Sequence, residues 1–159
     1  MIRVQFALVR GFFMLAARLT RLTLRVLDSA AGILRGNQSP DHLLTCRRGE
    51  EEAYFYLRNL GYVMVARNYR SPRSRSELDL VGWDGETLCF IEVKTRTTRA
   101  VQPAEAAVDP DKQKDLAGVA REFLRKVRGN PPHRFDIVSV YLEPGAEPDI
   151  TLFRDAFAG

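Results

Sequence analysis

Two apolar runs, residues 78–83 and 87–94, stand on either side of Asp84-Gly85, and together they constrain this chain more than any other feature. An acid–glycine dipeptide between β-favouring runs signals a tight hairpin, because glycine takes the positive φ of the turn without a Cβ clash. A two-residue turn at Asp84-Gly85 pairs Trp83 with Glu86, sets Asp79 against Phe90 and sets Glu77 against Glu92. Cross-strand partners share a face, and so do residues two apart. Glu77, Asp79, Glu92 and Lys94 should therefore project together from the open end of the hairpin. Leu78, Leu80, Ile91 and Val93 should point the other way, into the core.

That patch needs a physical explanation. Two carboxylates about 4 Å apart repel by roughly 4 kcal/mol at an effective dielectric near 20. A sheet does not collect them for stability, whereas a divalent cation removes the conflict by taking the carboxylate oxygens. The competing explanation is a wet hairpin end with its charges in solvent. It suffices for a lone acid, but E-x-D on one strand beside E-x-K on its partner weighs against it.

The rest of the chain frames this hairpin. A helix is expected over residues 41–60, stopped by Gly61. Residues 62–69 read as a strand, and residues 71–76, with Pro72 and three Ser, as a loop. Residues 95–109 form a long connection. Asp109-Pro110 reads as an N-cap followed by proline at the first helical position, opening a helix to about residue 128. Residues 135–142 are a further strand and residues 150–153 a short last one. The order α, β-β-β, α, β-β predicts an α/β fold, a mixed sheet flanked by helices. In the first helix Leu43, Cys46, Ala53, Leu57 and Leu60 form the expected apolar stripe. Glu50 falls on it, and a carboxylate on an inward face is costly unless paired or metal-bound. Glu51 and Glu52 read as solvent-facing. In the second helix Leu116, Val119, Ala120, Phe123 and Val127 form the stripe. Lys112 lies one turn earlier at the helix N-terminus, where anions are favoured, although its stem could equally lie over apolar surface.

With 159 residues the chain has room for one domain and an appendage. Its net charge of +4 is unevenly held: residues 1–48 carry eight Arg and two Asp, so the remainder is slightly acidic. Residues 1–40 are expected to be a separate N-terminal segment, and residues 41–159 the main domain. Arg3, Arg10, Arg18, Arg21 and Arg25 fall on one face of a helix within residues 1–36. The uncharged stretch there is too short to span a bilayer, and no secretory cleavage pattern follows it. Three readings stay open: contact with an anionic membrane surface, cover for an apolar patch of the same chain, or an upstream extension with the true start at Met14. Cys46 and Cys89 fit no metal or redox spacing and read as reduced, half-buried thiols, so a cytoplasmic location is the default expectation. His42 and His133 are isolated, and no glycine-rich phosphate loop is present. Asp136 reads as a strand-end residue, with a supporting role behind the site as the alternative.

Phosphodiester hydrolysis is the chemistry such residues suit. It needs a metal to neutralise phosphate charge and activate water, and a group to position that water. Asp79 and Glu92 are the expected ligands, with the Val93 carbonyl beside them and Glu50 adding a carboxylate. Lys94 would orient the water or hold the leaving phosphate, and Glu77 is accessory. Arg67, Arg70, Arg73, Arg96, Arg99 and Lys112 would contact a nucleic-acid backbone, which positions the polymer without reading its sequence.

Several segments together resemble the YraN-type family. They are Arg48-Gly49-Glu50 with Ala53, Tyr56-Leu57 and Gly61-Tyr62; Arg67-Asn68-Tyr69-Arg70; and Glu77-Leu78-Asp79-Leu80-Val81. Phe90-Ile91-Glu92-Val93-Lys94-Thr95-Arg96, then Lys112 with Leu116 and Ala120, and Arg134-Phe135-Asp136-Ile137-Val138 complete the set. The resemblance covers about residues 47–142. It implies a restriction-endonuclease-like core of the PD-(D/E)xK superfamily, similar to archaeal Holliday junction resolvases. It further implies a nuclease that binds Mg²⁺ or Mn²⁺ and cuts DNA, including branched or structured DNA, with Asp79, Glu92 and Lys94 catalytic and Glu50 accessory. By analogy with those resolvases a homodimer is expected. Ser76 departs from the family pattern, which usually has Gly before Glu77, and residues 1–40 have no counterpart in it. A second reading is a nucleic-acid-binding module that keeps the fold without turnover.

Overall fold

The computed structural model describes residues 41–72, 74, 76–98 and 108–159. The expectations for residues 1–40, Arg73 and Arg99 lie outside the described residues. Helix α1 (Asp41–Asn59) leads into strands β1 (Val63–Arg70), β2 (Glu77–Asp84) and β3 (Thr87–Arg96). Helix α2 (Pro110–Leu124) follows, then β4 (His133–Tyr141) and β5 (Asp149–Phe157). One five-stranded sheet takes the strands in chain order. β3 and β4 pair in parallel, and the other neighbours are antiparallel. A parallel pair needs a crossover, and α2 lies on it. This is the expected α/β arrangement, a mixed sheet with two helices, in keeping with a restriction-endonuclease-like core.

Both helix boundaries follow from local chemistry. At the end of α1, Gly61 takes φ +98°. The amides of Gly61 and Tyr62 donate to the carbonyls of Arg58 and Leu57, the paired bonds of a Schellman cap. At the start of α2, the Asp109 side chain accepts from the Lys112 amide at 2.9 Å, with Pro110 in the first turn. The helix stops at Leu124, a turn earlier than the sequence suggests, and Val127 still packs against the core from beyond it.

The central strands β2, β3 and β4 are buried on both faces. α1 covers Leu80, Cys89, Ile91, Val138 and Val140 with Ala53 and Leu57. α2 covers Val81, Leu88, Phe90, Phe135 and Ile137 with Leu116, Val119 and Ala120. Leu78 belongs to the α2-side core, not with Leu80 and Ile91 as strict alternation suggests. The α1 stripe also differs from expectation. Leu43, Leu60 and Cys46 are exposed, while Gly49, Glu52, Ala53, Phe55 and Leu57 are buried. Glu52, expected in solvent, has no exposed surface.

The hairpin register is one pair off the expected one. Asp84 pairs with Thr87, Trp83 with Leu88 and Leu80 with Ile91, so Gly85 and Glu86 form the turn. Gly85 has φ +61° at the first turn position, while Glu86 does not take positive φ. A turn of that kind wants glycine first, which moves its centre one residue along the chain. Each partner moves by two residues, so this shift by itself carries no side chain to the other face. Extended by one pair, the same register sets Asp79 against Glu92 instead of Phe90.

Candidate functional site

At the open end of the hairpin, β3 carries Glu92 and Lys94 on one face. Glu92 is 6% exposed. Lys94 Nζ donates to Glu92 Oε1 at 2.9 Å, and Lys112 Nζ reaches the same oxygen at 3.5 Å from the first turn of α2. Lys112 therefore reaches the acidic cluster from α2. The other carboxylate oxygen, Glu92 Oε2, is buried and accepts no hydrogen bond from the described residues. A buried, unsatisfied anionic oxygen is expensive in a folded protein, and its presence asks for a ligand.

Asp79 approaches from β2. Its Oδ2 accepts the Val93 amide at 2.7 Å, which fastens it to β3 between Glu92 and Lys94. Burial first, and then the Glu92 charge, push the Asp79 carboxyl up to about 7. Glu50 adds to that push, while the Val93 amide and Lys112 oppose it. The carboxylates of Asp79 and Glu92 thus converge, as expected from their shared face.

Glu50 comes from α1, and the residue before it explains how. A Cβ on Gly49 would lie 1.9 Å from Thr95 Oγ1. Only glycine lets the helix lie this close to β3. Glu50 is half-buried, and its carboxyl is raised, chiefly by burial. A hydrogen bond from the Asn68 side chain and the charge of Arg67 oppose that rise, while Glu77 adds to it.

The other candidates are placed as follows. Glu77 is engaged by Arg70, Nε to Oε2 at 2.6 Å. Arg67 is exposed and lies over the Tyr54 ring, 5.0 Å from its centroid. Arg96 is half-buried and donates to the Thr95 carbonyl at 3.1 Å. Ser76, the departure noted in the sequence, donates to Asp115 at 2.9 Å and so ties the loop before β2 to α2. Asp136 is fully buried and lies in a different cluster. It accepts from Arg134 Nε at 2.9 Å and from the Asp155 amide at 2.9 Å. Arg134 also bonds Asp84 and Tyr62.

Oxygen donors dominate the Asp79–Glu92–Glu50 set, which suits a hard cation such as Mg²⁺ or Mn²⁺ better than a thiophilic metal. Among the described residues no three His, Cys, Asp or Glu close to ligating distance as a group. Two residues that shape the site had no role assigned from sequence, Gly49 and Asn68. Both had a signal: a glycine inside a helix and an asparagine inside a strand each contradict local propensity. Among the described residues no helix is long and apolar enough to cross a membrane.

A profile of the Uncharacterised protein family UPF0102 matches residues 49–140, a span that holds every described residue of the candidate site. A UPF0102 protein of Koribacter versatilis is 56% identical over 138 residues, 87% of this chain and 94% of that protein. One from Solibacter usitatus is 44% identical over 133 residues, 83% of this chain and 98% of the relative. One from Geotalea uraniireducens is 35% identical over 125 residues, covering 78% and 97%.

Proposed function

The chain belongs to the UPF0102 family, and from that premise we propose that it is a metal-dependent endonuclease acting on DNA, including branched or structured DNA. The observation that carries this reading is the buried Glu92 carboxylate, with one oxygen shared by two lysines and the other without a partner. In this reading Asp79 and Glu92 would hold Mg²⁺ or Mn²⁺, joined by the Val93 carbonyl and Glu50. A bound ion would supply neutralisation of phosphate charge and a lowered pKa for an attacking water.

The chain's own groups do the rest. Asp79, held by the Val93 amide, presents its second oxygen without rotating away. Lys94 and Lys112 exchange Glu92 for the substrate: Lys94 holds the attacking water or the leaving oxygen, and Lys112 a non-bridging phosphate oxygen. Arg67 and Arg70, both exposed, and half-buried Arg96 would contact the backbone of the polymer. A second reading, a binding module without turnover, draws support from the same lysines, whose two charges already offset the Glu92 carboxylate.

Incubating linear, nicked and four-way DNA with the protein, with Mg²⁺ or with chelator, separates the two. Metal-dependent cleavage is expected, falling at least about a hundredfold in Glu92→Ala and in Lys94→Ala. Undiminished cleavage by Glu92→Ala removes this site assignment. Binding without metal-dependent cleavage in the parent favours the second reading.

A further inference from the structure

Asn68 has a backbone conformation that its position in a strand does not call for. Its φ is +49°, in the left-handed region, and Asp155 is the other described non-glycine residue there. Asparagine tolerates that region better than most residues, but strands do not favour it. The effect is local and visible. Ala66 and Tyr69, three apart in β1, pack against the same core, which regular alternation forbids. The left-handed residue between them turns Tyr69 toward the α2 side, where its ring meets Phe123 edge-on at 4.9 Å. It also directs the Asn68 side chain to α1, where the amide donates to the Glu50 carboxylate.

If the backbone kink were the whole purpose, glycine would serve with less strain. Asparagine adds the donor. We propose that Asn68 is a positioning residue, a left-handed kink in β1 whose side-chain amide fixes the Glu50 carboxylate toward Asp79. Three elements then converge on that one carboxylate. Gly49 brings α1 against β3, the kink brings β1 to α1, and Asp79 on β2 feels the Glu50 charge. Outer partners of this kind orient ligating groups and hold them ready for an ion. The inference rests on the metal-site reading above and assigns a residue which that reading leaves without a role.

Mn²⁺ binding to the full chain, followed by isothermal titration calorimetry, tests it without reference to cleavage. Asn68→Gly keeps the kink and removes the amide. It is expected to unfold within a few degrees of the parent and to bind Mn²⁺ about tenfold more weakly. Glu50→Gln should weaken binding by a similar factor. The double variant should be no weaker than Glu50→Gln alone, because Asn68 acts through Glu50. Unchanged affinity in Asn68→Gly, losses that add in the double variant, or a collapsed unfolding temperature in Asn68→Gly each overturn the assignment while leaving the metal site standing. A parent that takes up no Mn²⁺ overturns the metal-site reading and this inference with it.

Discussion

Asp79 is a carboxyl held where its charge is unwelcome. In the unfolded chain it titrates near the ordinary value of 3.8, and in the folded protein near 7. Between those values the folded state binds the extra proton. Its contribution to stability is therefore fully present below about pH 4 and is lost as pH rises through about 7. The metal-free protein is expected to lose roughly 2–4 kcal/mol from this group between pH 5 and 8. Thermal unfolding across that range in chelator should show the midpoint falling, and Asp79→Asn should flatten the slope. Millimolar Mg²⁺ should raise the midpoint more at pH 8 than at pH 5, since the ion binds the ionised form. A parent slope that survives in Asp79→Asn places the strain elsewhere.

α1 brings Glu50 to the candidate site because it lies unusually near β3. Gly49 makes that approach possible, with the Thr95 side chain where a Cβ would go. Gly49→Ala should destabilise the protein by about 1–3 kcal/mol through overpacking, even though alanine is the better helix former. Adding Thr95→Ala removes the closest contacting atom, so the double variant should recover part of the loss in denaturant unfolding. Full additivity of the two changes refutes the contact. The same helix shows what periodicity alone misses. Counting from Leu43 and Cys46 selects a stripe that is exposed at both ends, while the packed line passes through Gly49, Ala53 and Leu57. Small residues mark where a helix touches its sheet, and hydrophobicity does not weigh them.

Across the molecule, two polar clusters divide the work. Glu50, Asp79, Glu92, Lys94 and Lys112 gather at the open end of the hairpin and leave Glu92 Oε2 without a hydrogen-bond partner among the described residues. Asp84, Arg134, Asp136, Tyr62 and Arg154 pair with one another nearer its turn. Arg134 is held above its ordinary pKa: burial opposes its charge, but hydrogen bonds to Asp136 and Asp84 outweigh that. The Asp136 carboxylate also caps the Asp155 amide at the irregularity where β5 joins β4. Asp136→Ala leaves the Arg134 charge underpaired and the β5 amide open, and should cost about 3–5 kcal/mol in chemical unfolding. A loss below about 1 kcal/mol would show that β5 docks without it. Mn²⁺ affinity should stay unchanged in that variant, because Asp136 lies outside the cluster proposed to hold the ion. Apolar Leu60, Val63 and Val65 remain exposed near the start of β1.

Read alone, the sequence determined the order of helices and strands, the caps at Gly61 and Asp109, the hairpin, and which face each of Asp79, Glu92 and Lys94 would take. Those features depend on residues a few positions apart, through turn chemistry and the two-residue period of a strand. A register error of one pair moves partners by two residues and preserves that parity, so the face of the site was legible although the pairing was not. Tertiary structure alone decided that Leu78 joins the opposite core, that Glu52 is buried, that Lys112 reaches Glu92, and that Asn68 bends β1 to meet Glu50. Each depends on how closely elements distant in sequence can pack, and no local pattern of residues carries that distance.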